Sequence, residues 1–230
     1  MRSDFVFVHG FSQTPASWTP VSAAVTSDGG GGRRELRPQI ASGHDFVTTA
    51  AGLGVGTGAY VGYSMGGRLC LQLALDRPEV VERLVLVSAS PGIADPVART
   101  ARRDADELLA REIERDGVDV FLERWLAQPM FATLPRDRAG INDRRTNNTV
   151  ESLTHQLRVL GQGVQPSNWD RLAELKMPVL LIVGALDDKY VDIAQRTAEH
   201  IADVRVEVIA DAGHACHLEH PERVAHLLSS

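Results

Sequence analysis

The residues best equipped for chemistry lie in the run Gly62-Tyr63-Ser64-Met65-Gly66, where a serine stands between two glycines. Side chains at positions 62 and 66 would crowd a tight turn, so glycine there lets the chain lift Ser64 into a strained, outward-facing conformation. A serine hydroxyl is nearly unreactive until an imidazole can take its proton, and the imidazole needs a carboxylate to hold its tautomer and stabilise its charge. Eight histidines compete for that role. His214 is preferred because it follows Ala212-Gly213 in a loop directly after the last strand-like segment, from which a side chain can reach the serine. His217 and His220 read as residues that cap or decorate the following helix. The carboxylate is Asp187 or Asp188, both at the end of the apolar run Val179–Val183; Asp187 is preferred, and one of the pair could instead cap the helix near Val191. Negative charge developing on a reacting oxygen calls for two backbone N–H donors, and Met65 and Phe11 occupy the places that supply them. Gly10 allows the chain to approach closely at that loop. His9 reads as a core histidine that orders the loop by hydrogen bonding.

These residues need a scaffold, and the apolar pattern supplies one. Phe5–Val8, Ala59–Val61, Arg83–Val87 and Val179–Val183 are short, rich in Val and Leu, and bounded by Gly, Pro or Ser, as strands buried on both faces are. Val204–Ile209 alternates more and suits an edge. Helical patterns lie between them, at Gly67–Leu75 and at Val191–Ile201, where Ala194, Ala198 and Ile201 share a face. Alternating strand and helix predicts a mostly parallel sheet flanked by helices. With the glycine-flanked serine between a strand and a helix, and the order Ser, Asp, His, the pattern predicts an α/β-hydrolase fold.

The segment 93–170 interrupts this rhythm with helical patterns and no strand, and is expected to be a helical cap inserted into a core formed by 1–92 and 171–230. Val97–Arg115 and Val118–Leu126 read as a helix pair folding onto the sheet. The run Gly29-Gly30-Gly31-Gly32 reads as a flexible loop.

At 230 residues, 43% hydrophobic and 23% charged, the composition is that of a globular protein with one main core. No apolar run approaches the roughly 20 residues a bilayer requires, so no membrane association is expected. The passage from Met1-Arg2 into Phe5–Val8 is too short for a signal-peptide core, which predicts a cytoplasmic location. A net charge of −6 argues against nucleic-acid binding. Cys70 and Cys216 read as small core hydrophobes. With no phosphate loop, dinucleotide fingerprint or metal-ligand pair, no metal and no other cofactor is expected.

The arginines narrow the substrate. Arg68 lies one helical turn beyond Ser64 and can share its face, while Arg102 and Arg145 lie in the cap. Singly each suits a solvated surface; together they suggest a small polycarboxylate, which guanidinium binds bidentately.

Several runs together resemble the menaquinone-pathway lyases of the MenH family, the 2-succinyl-6-hydroxy-2,4-cyclohexadiene-1-carboxylate synthases. They are Gly62-Tyr63-Ser64-Met65-Gly66-Gly67-Arg68, Ser88-Ala89-Ser90-Pro91-Gly92, Trp125 with Gln128-Pro129-Met130-Phe131-Ala132, Arg145-Thr146-Asn147-Asn148, and Gln165-Pro166 with Trp169. The resemblance runs from residue 62 to the Gly213-His214 loop. It implies elimination of pyruvate from an enolpyruvyl- and succinyl-bearing cyclohexene carboxylate, with Ser64 acting as a base toward a ring proton and relaying it to His214. It also implies that Arg68, Arg102 and Arg145 hold substrate carboxylates and that Tyr63 and Trp125 line the pocket, although Trp125 also suits plain packing.

Two features depart from that family. The chain begins almost at the His9-Gly10 strand, so the antiparallel strands that usually precede it are missing or outside this sequence. The segment from Leu36 to His44 only echoes the usual Leu-Pro-Gly-His-Gly motif, which predicts a different front rim. A serine hydrolase acting on an ester or carbon–carbon bond remains the alternative function, followed by a noncatalytic ligand-binding relative.

Overall fold

A computed structural model describes residues 4–27, 34–40 and 45–230; the four-glycine run and His44 lie outside them. The chain opens with β1 (Asp4–Val8), α1 (Thr19–Ser27), the two-residue β2 (Glu35–Leu36), α2 (Phe46–Gly52), β3 (Gly58–Tyr63) and α3 (Met65–Asp76). After β4 (Val81–Val87) come α4 (Pro96–Leu126), α5 (Ile141–Asn147) and α6 (Val150–Leu160). The chain then returns through β5 (Val179–Gly184), α7 (Asp188–Ala198), β6 (Val204–Ile209), α8 (Cys216–Glu219) and α9 (Pro221–Ser229).

The six strands form one sheet in the order β2-β1-β3-β4-β5-β6, and every described pairing is parallel. The strands read as unbroken apolar runs because both faces are covered. Alternate residues go to opposite sides: Val6, Tyr60, Leu84 and Leu181 pack with α2, α3 and α7, whereas Phe7, Val61, Val85 and Ile182 pack with α1, α8 and α9. Val204–Ile209 is the edge strand its alternation predicted, with only Ile209 fully buried. The opposite edge is β2, too short to leave an apolar pattern.

The three helices between β4 and β5 are the expected helical insertion. The predicted helix pair runs head to tail as α4 and breaks at Gly117, whose φ of 80° a side-chain-bearing residue rarely adopts. This pair does not fold directly onto the sheet as expected. Ala110, Ile113, Phe121 and Leu122 instead pack with Leu153 and Leu157 of α6 in a small core of their own, which meets the rest of the protein through Phe11 and Trp125. No helix among the described residues is long and apolar enough to cross a membrane.

Candidate active site

Ser64 caps the junction between β3 and α3 with φ 49° and ψ −108°, a region non-glycine residues avoid at a cost of roughly 1–3 kcal/mol. The flanking glycines are sterically required. A Cβ on Gly62 would lie 2.5 Å from Gly67 Cα, and one on Gly66 would lie 2.3 Å from the Val8 carbonyl oxygen. Ser64 is tied to the sheet by its N–H, which donates to the Val87 carbonyl at 2.8 Å.

His214 reaches this serine from the loop after β6. Its Nε2 lies 3.2 Å from Ser64 Oγ, and its Nδ1 lies 2.6 Å from Asp187 Oδ2. At Gly213 a Cβ would come within 2.6 Å of Thr133 Oγ1, which would have to shift, and the Gly213 N–H donates to the buried Glu219 carboxylate at 2.9 Å. Asp187 occupies the cap position of α7 but makes no side-chain cap; its carboxylate turns to His214, while Asp188 is exposed. The arrangement can therefore draw a proton from Ser64 into an imidazole whose other nitrogen is held by a carboxylate.

These groups open into a cleft of about 670 Å³ between the sheet and the insertion. Phe11 and Met65 both line it. Met65 begins α3, so its amide N–H has no intrahelical acceptor and lies at the helix's positive end. Tyr63 is buried, with its ring 5.4 Å from that of His214, and burial raises its phenol well above the usual value. Trp125 meets Phe11 edge to face at 5.1 Å and so both packs and lines the cleft.

Among the predicted arginines, Arg68 and Arg102 reach the cleft. Arg68 is buried; its Nη1 donates to the Leu160 carbonyl at 2.8 Å and to Gln165 Oε1 at 3.2 Å, and burial lowers its guanidinium to about 10. It stays charged at neutral pH. Arg102 donates to Asp106 at 2.8 Å and to Gln162 at 2.6 Å. Arg145 does not join them. It is exposed on the outer side of α5 and pairs with Asp119, and the neighbouring Arg144 lines the cleft instead. Arg144 is 3% exposed, and burial lowers its guanidinium to about 10.

The family model described as the alpha/beta hydrolase family matches residues 5–227. The chain belongs to this family. Among its relatives, a Bacillus subtilis protein described as a candidate 2-succinyl-6-hydroxy-2,4-cyclohexadiene-1-carboxylate synthase is 38% identical over 173 residues, or 74% of this chain. That match covers 63% of the Bacillus protein's length. The synthase of the same name from Salmonella paratyphi B is 28% identical over 97% of this chain and 91% of its own. The solved structure of MenH from S. aureus superposes with a TM-score of 0.88 at 25% identity, over 98% of this chain and 91% of that one.

Within this α/β hydrolase, two of the runs that carried the sequence resemblance, 88–92 and 165–169, are joined to each other by hydrogen bonds. Gln165 Nε2 donates to the Ser90 carbonyl at 3.2 Å, Trp169 Nε1 donates to that of Gly92 at 2.9 Å, and the Asn168 N–H donates to that of Pro91 at 2.8 Å. Gln165 thereby holds Arg68 as well.

Residues missed by the sequence reading also line the cleft. Tyr190 packs 4.5 Å from the His214 ring and accepts from Gln162 Nε2 at 3.1 Å, and Asp106 anchors Arg102 from within the insertion. The Tyr190 position, three residues after Asp187, was the available signal. His9 is buried with Nδ1 2.9 Å from the Gly10 carbonyl, in keeping with an ordering role. His217 corrects the expectation that it decorates a helix. It is fully buried 4.1 Å from the Tyr63 ring, and neither ring nitrogen has a hydrogen-bond partner among the described residues. Cys70 and Cys216 are buried as expected, and burial raises both thiols, that of Cys216 to about 12. No group of three or more metal-ligating side chains occurs among the described residues.

Burial holds both His9 and His217 neutral, lowering His9 to about 4 and His217 well below 6.5. As pH falls below about 6.5 the unfolded chain takes protons that the folded chain refuses, so each histidine removes about 1.4 kcal/mol of stability per pH unit. Stability should therefore decline from pH 6.5 toward 4. In urea unfolding at pH 7 and pH 5, His217→Phe is expected to lose about 2 kcal/mol less between the two than the wild type. Equal losses would refute the buried neutral imidazole.

Proposed function

We propose that the protein is a lyase that eliminates pyruvate from 2-succinyl-5-enolpyruvyl-6-hydroxy-3-cyclohexene-1-carboxylate, giving 2-succinyl-6-hydroxy-2,4-cyclohexadiene-1-carboxylate. The observation that carries the reading is the placement of Arg68, Arg102 and Arg144 in the cleft that holds Ser64 and His214. Three arginines lining one cleft with the serine suit a substrate with several carboxylates and are unneeded for a neutral ester. The likeness to proteins named for this synthase activity supports the same choice.

In this mechanism Ser64 Oγ takes the ring proton beside the succinyl ketone while its own proton passes to His214 Nε2, and Asp187 stabilises the imidazolium. The electron pair left on the ring carbon moves into the ketone as an enolate, whose oxygen accepts from the Phe11 and Met65 amides. The enolate collapses to form the C2–C3 ring double bond, the existing C3–C4 double bond moves to C4–C5, and the carbon–oxygen bond from C5 to the enolpyruvyl group breaks. The departing enolate takes the proton held by His214 and leaves as pyruvate, and no water is consumed. Tyr63 and Trp125 wall the ring.

A second reading has an observation of its own. Ser64, His214 and Asp187 stand as they would for attack on a carbonyl, so a serine hydrolase of an acidic ester or carbon–carbon bond uses the same parts. An assay of the purified protein with the cyclohexene substrate separates the two. Diene absorbance growing in step with equimolar pyruvate, and lost in Ser64→Ala, is the expected result. A folded wild type that forms neither but cleaves an acidic ester would establish the hydrolase.

A further inference from the structure

The loop after β1, which carries Phe11, is held from outside the sheet. Ser12 has φ 59°, a conformation that persists in a non-glycine residue only where its surroundings over-determine it. Those surroundings are α5 and its C-terminal cap. Asn148 Nδ2 donates to the Ser12 carbonyl at 2.9 Å and to the Arg144 carbonyl at 2.8 Å. Arg144 Nη1 donates to Ser12 Oγ at 2.7 Å, and the Thr14 hydroxyl donates to the Asp143 carboxylate. Within the loop, Gln13 Oε1 accepts from the Gly10 N–H at 3.1 Å, and the Gln13 N–H donates to the Gly10 carbonyl at 3.2 Å. Phe11 is fastened between these two sets of bonds.

We infer that Asn148 and Ser12 are positioning residues, through which the helical insertion sets the aim of the Phe11 amide at the reacting oxygen. The inference rests on the reading of that amide given above. It assigns the insertion a second task besides covering the cleft. Arg144 joins the two tasks, because Nε donates to the Ala139 carbonyl and Nη1 to Ser12, while Nη2 donates to no described protein group. A substrate carboxylate bound at Nη2 therefore steadies the same guanidinium that steadies the loop. Neither Asn148 nor Ser12 lines the cleft, so their substitution removes no side chain that touches substrate and acts on turnover through the loop, while Arg144 keeps its bond to the Ala139 carbonyl.

The test uses Asn148→Ala and Ser12→Gly, the second of which relieves the positive φ while removing Oγ. Four quantities are measured: kcat and KM for pyruvate release, the melting temperature, and the rate of labelling by a fluorophosphonate. In the labelling reaction Ser64 Oγ bonds to phosphorus, fluoride leaves, the serine proton passes to His214, and the phosphoryl oxygen needs the same amides. Both kcat and the labelling rate should fall roughly 10- to 100-fold, with KM changed less than about threefold. Labelling of both folded variants at the wild-type rate would overturn the inference, as would losses that vanish below the melting transition. A wild type that labels without releasing pyruvate would sink the lyase reading alone, since the labelling comparison still decides this one. A folded wild type that neither labels nor turns over would overturn both.

Discussion

Asp187→Asn is expected to lower kcat roughly ten-thousand-fold with the fold intact. The His214 Nδ1 to Asp187 Oδ2 contact of 2.6 Å fixes a tautomer with hydrogen on Nδ1, leaving the Nε2 lone pair toward Ser64. An asparagine can present its NH2 to Nδ1, which moves the ring hydrogen to Nε2 and leaves nothing to accept the serine proton. The charge that stabilises the imidazolium is also lost. Asp188→Asn, at an exposed position on the next residue, should change kcat by less than about threefold, as surface substitutions away from special features do. Steady-state kinetics of the two variants, with circular dichroism to check folding, settle the assignment. Equal effects would mean that the carboxylate has been misassigned.

The second large effect is expected at the arginine pair. Arg144→Ala removes a buried guanidinium held by Ser12 and Ala139, and loss of such a group beside a bound carboxylate costs about 2–5 kcal/mol. That is a fall of roughly 30- to 4,000-fold in kcat/KM. Arg145→Ala removes only a surface pair with Asp119, and surface pairs contribute about 0–1 kcal/mol, so kcat/KM should stay within about threefold of the wild type. The comparison is read from initial rates over a range of substrate concentrations. A large loss at position 145 with none at 144 would return the carboxylate contact to the residue the sequence resemblance implied.

This pair shows where the sequence was legible and where it was not. The doubly covered strands announce themselves, because burial on both faces demands unbroken Val and Leu, and the Ser64 turn does so because its steric demands admit only glycine at 62 and 66. His214 and Asp187 were legible from their places at strand ends. The choice between Arg144 and Arg145 depends on helix phase: neighbours on a helix point about 100° apart, and the seven residues of α5 are too few to show an apolar stripe. The phase is set at Gly140, with φ 65°, where the chain enters α5. His217 was misread because an imidazole buried with no hydrogen-bond partner among the described residues breaks the rule that buried polar groups are satisfied. Tyr190 in α7, Asp106 in α4 and Gln162 in the turn after α6 approach only in the folded chain, as do Asn148 and Ser12. No spacing in the sequence could have joined them.

The most direct test of the account is mass spectrometry of the products formed by the wild type from the cyclohexene substrate in 18O-labelled water. Elimination predicts pyruvate and the cyclohexadiene with no carboxylate carrying label, any 18O being confined to ketone oxygens, which exchange with water. A product heavier by one water, with 18O in a new carboxylate, would contradict proton abstraction by Ser64 and make this cleft the site of a hydrolase.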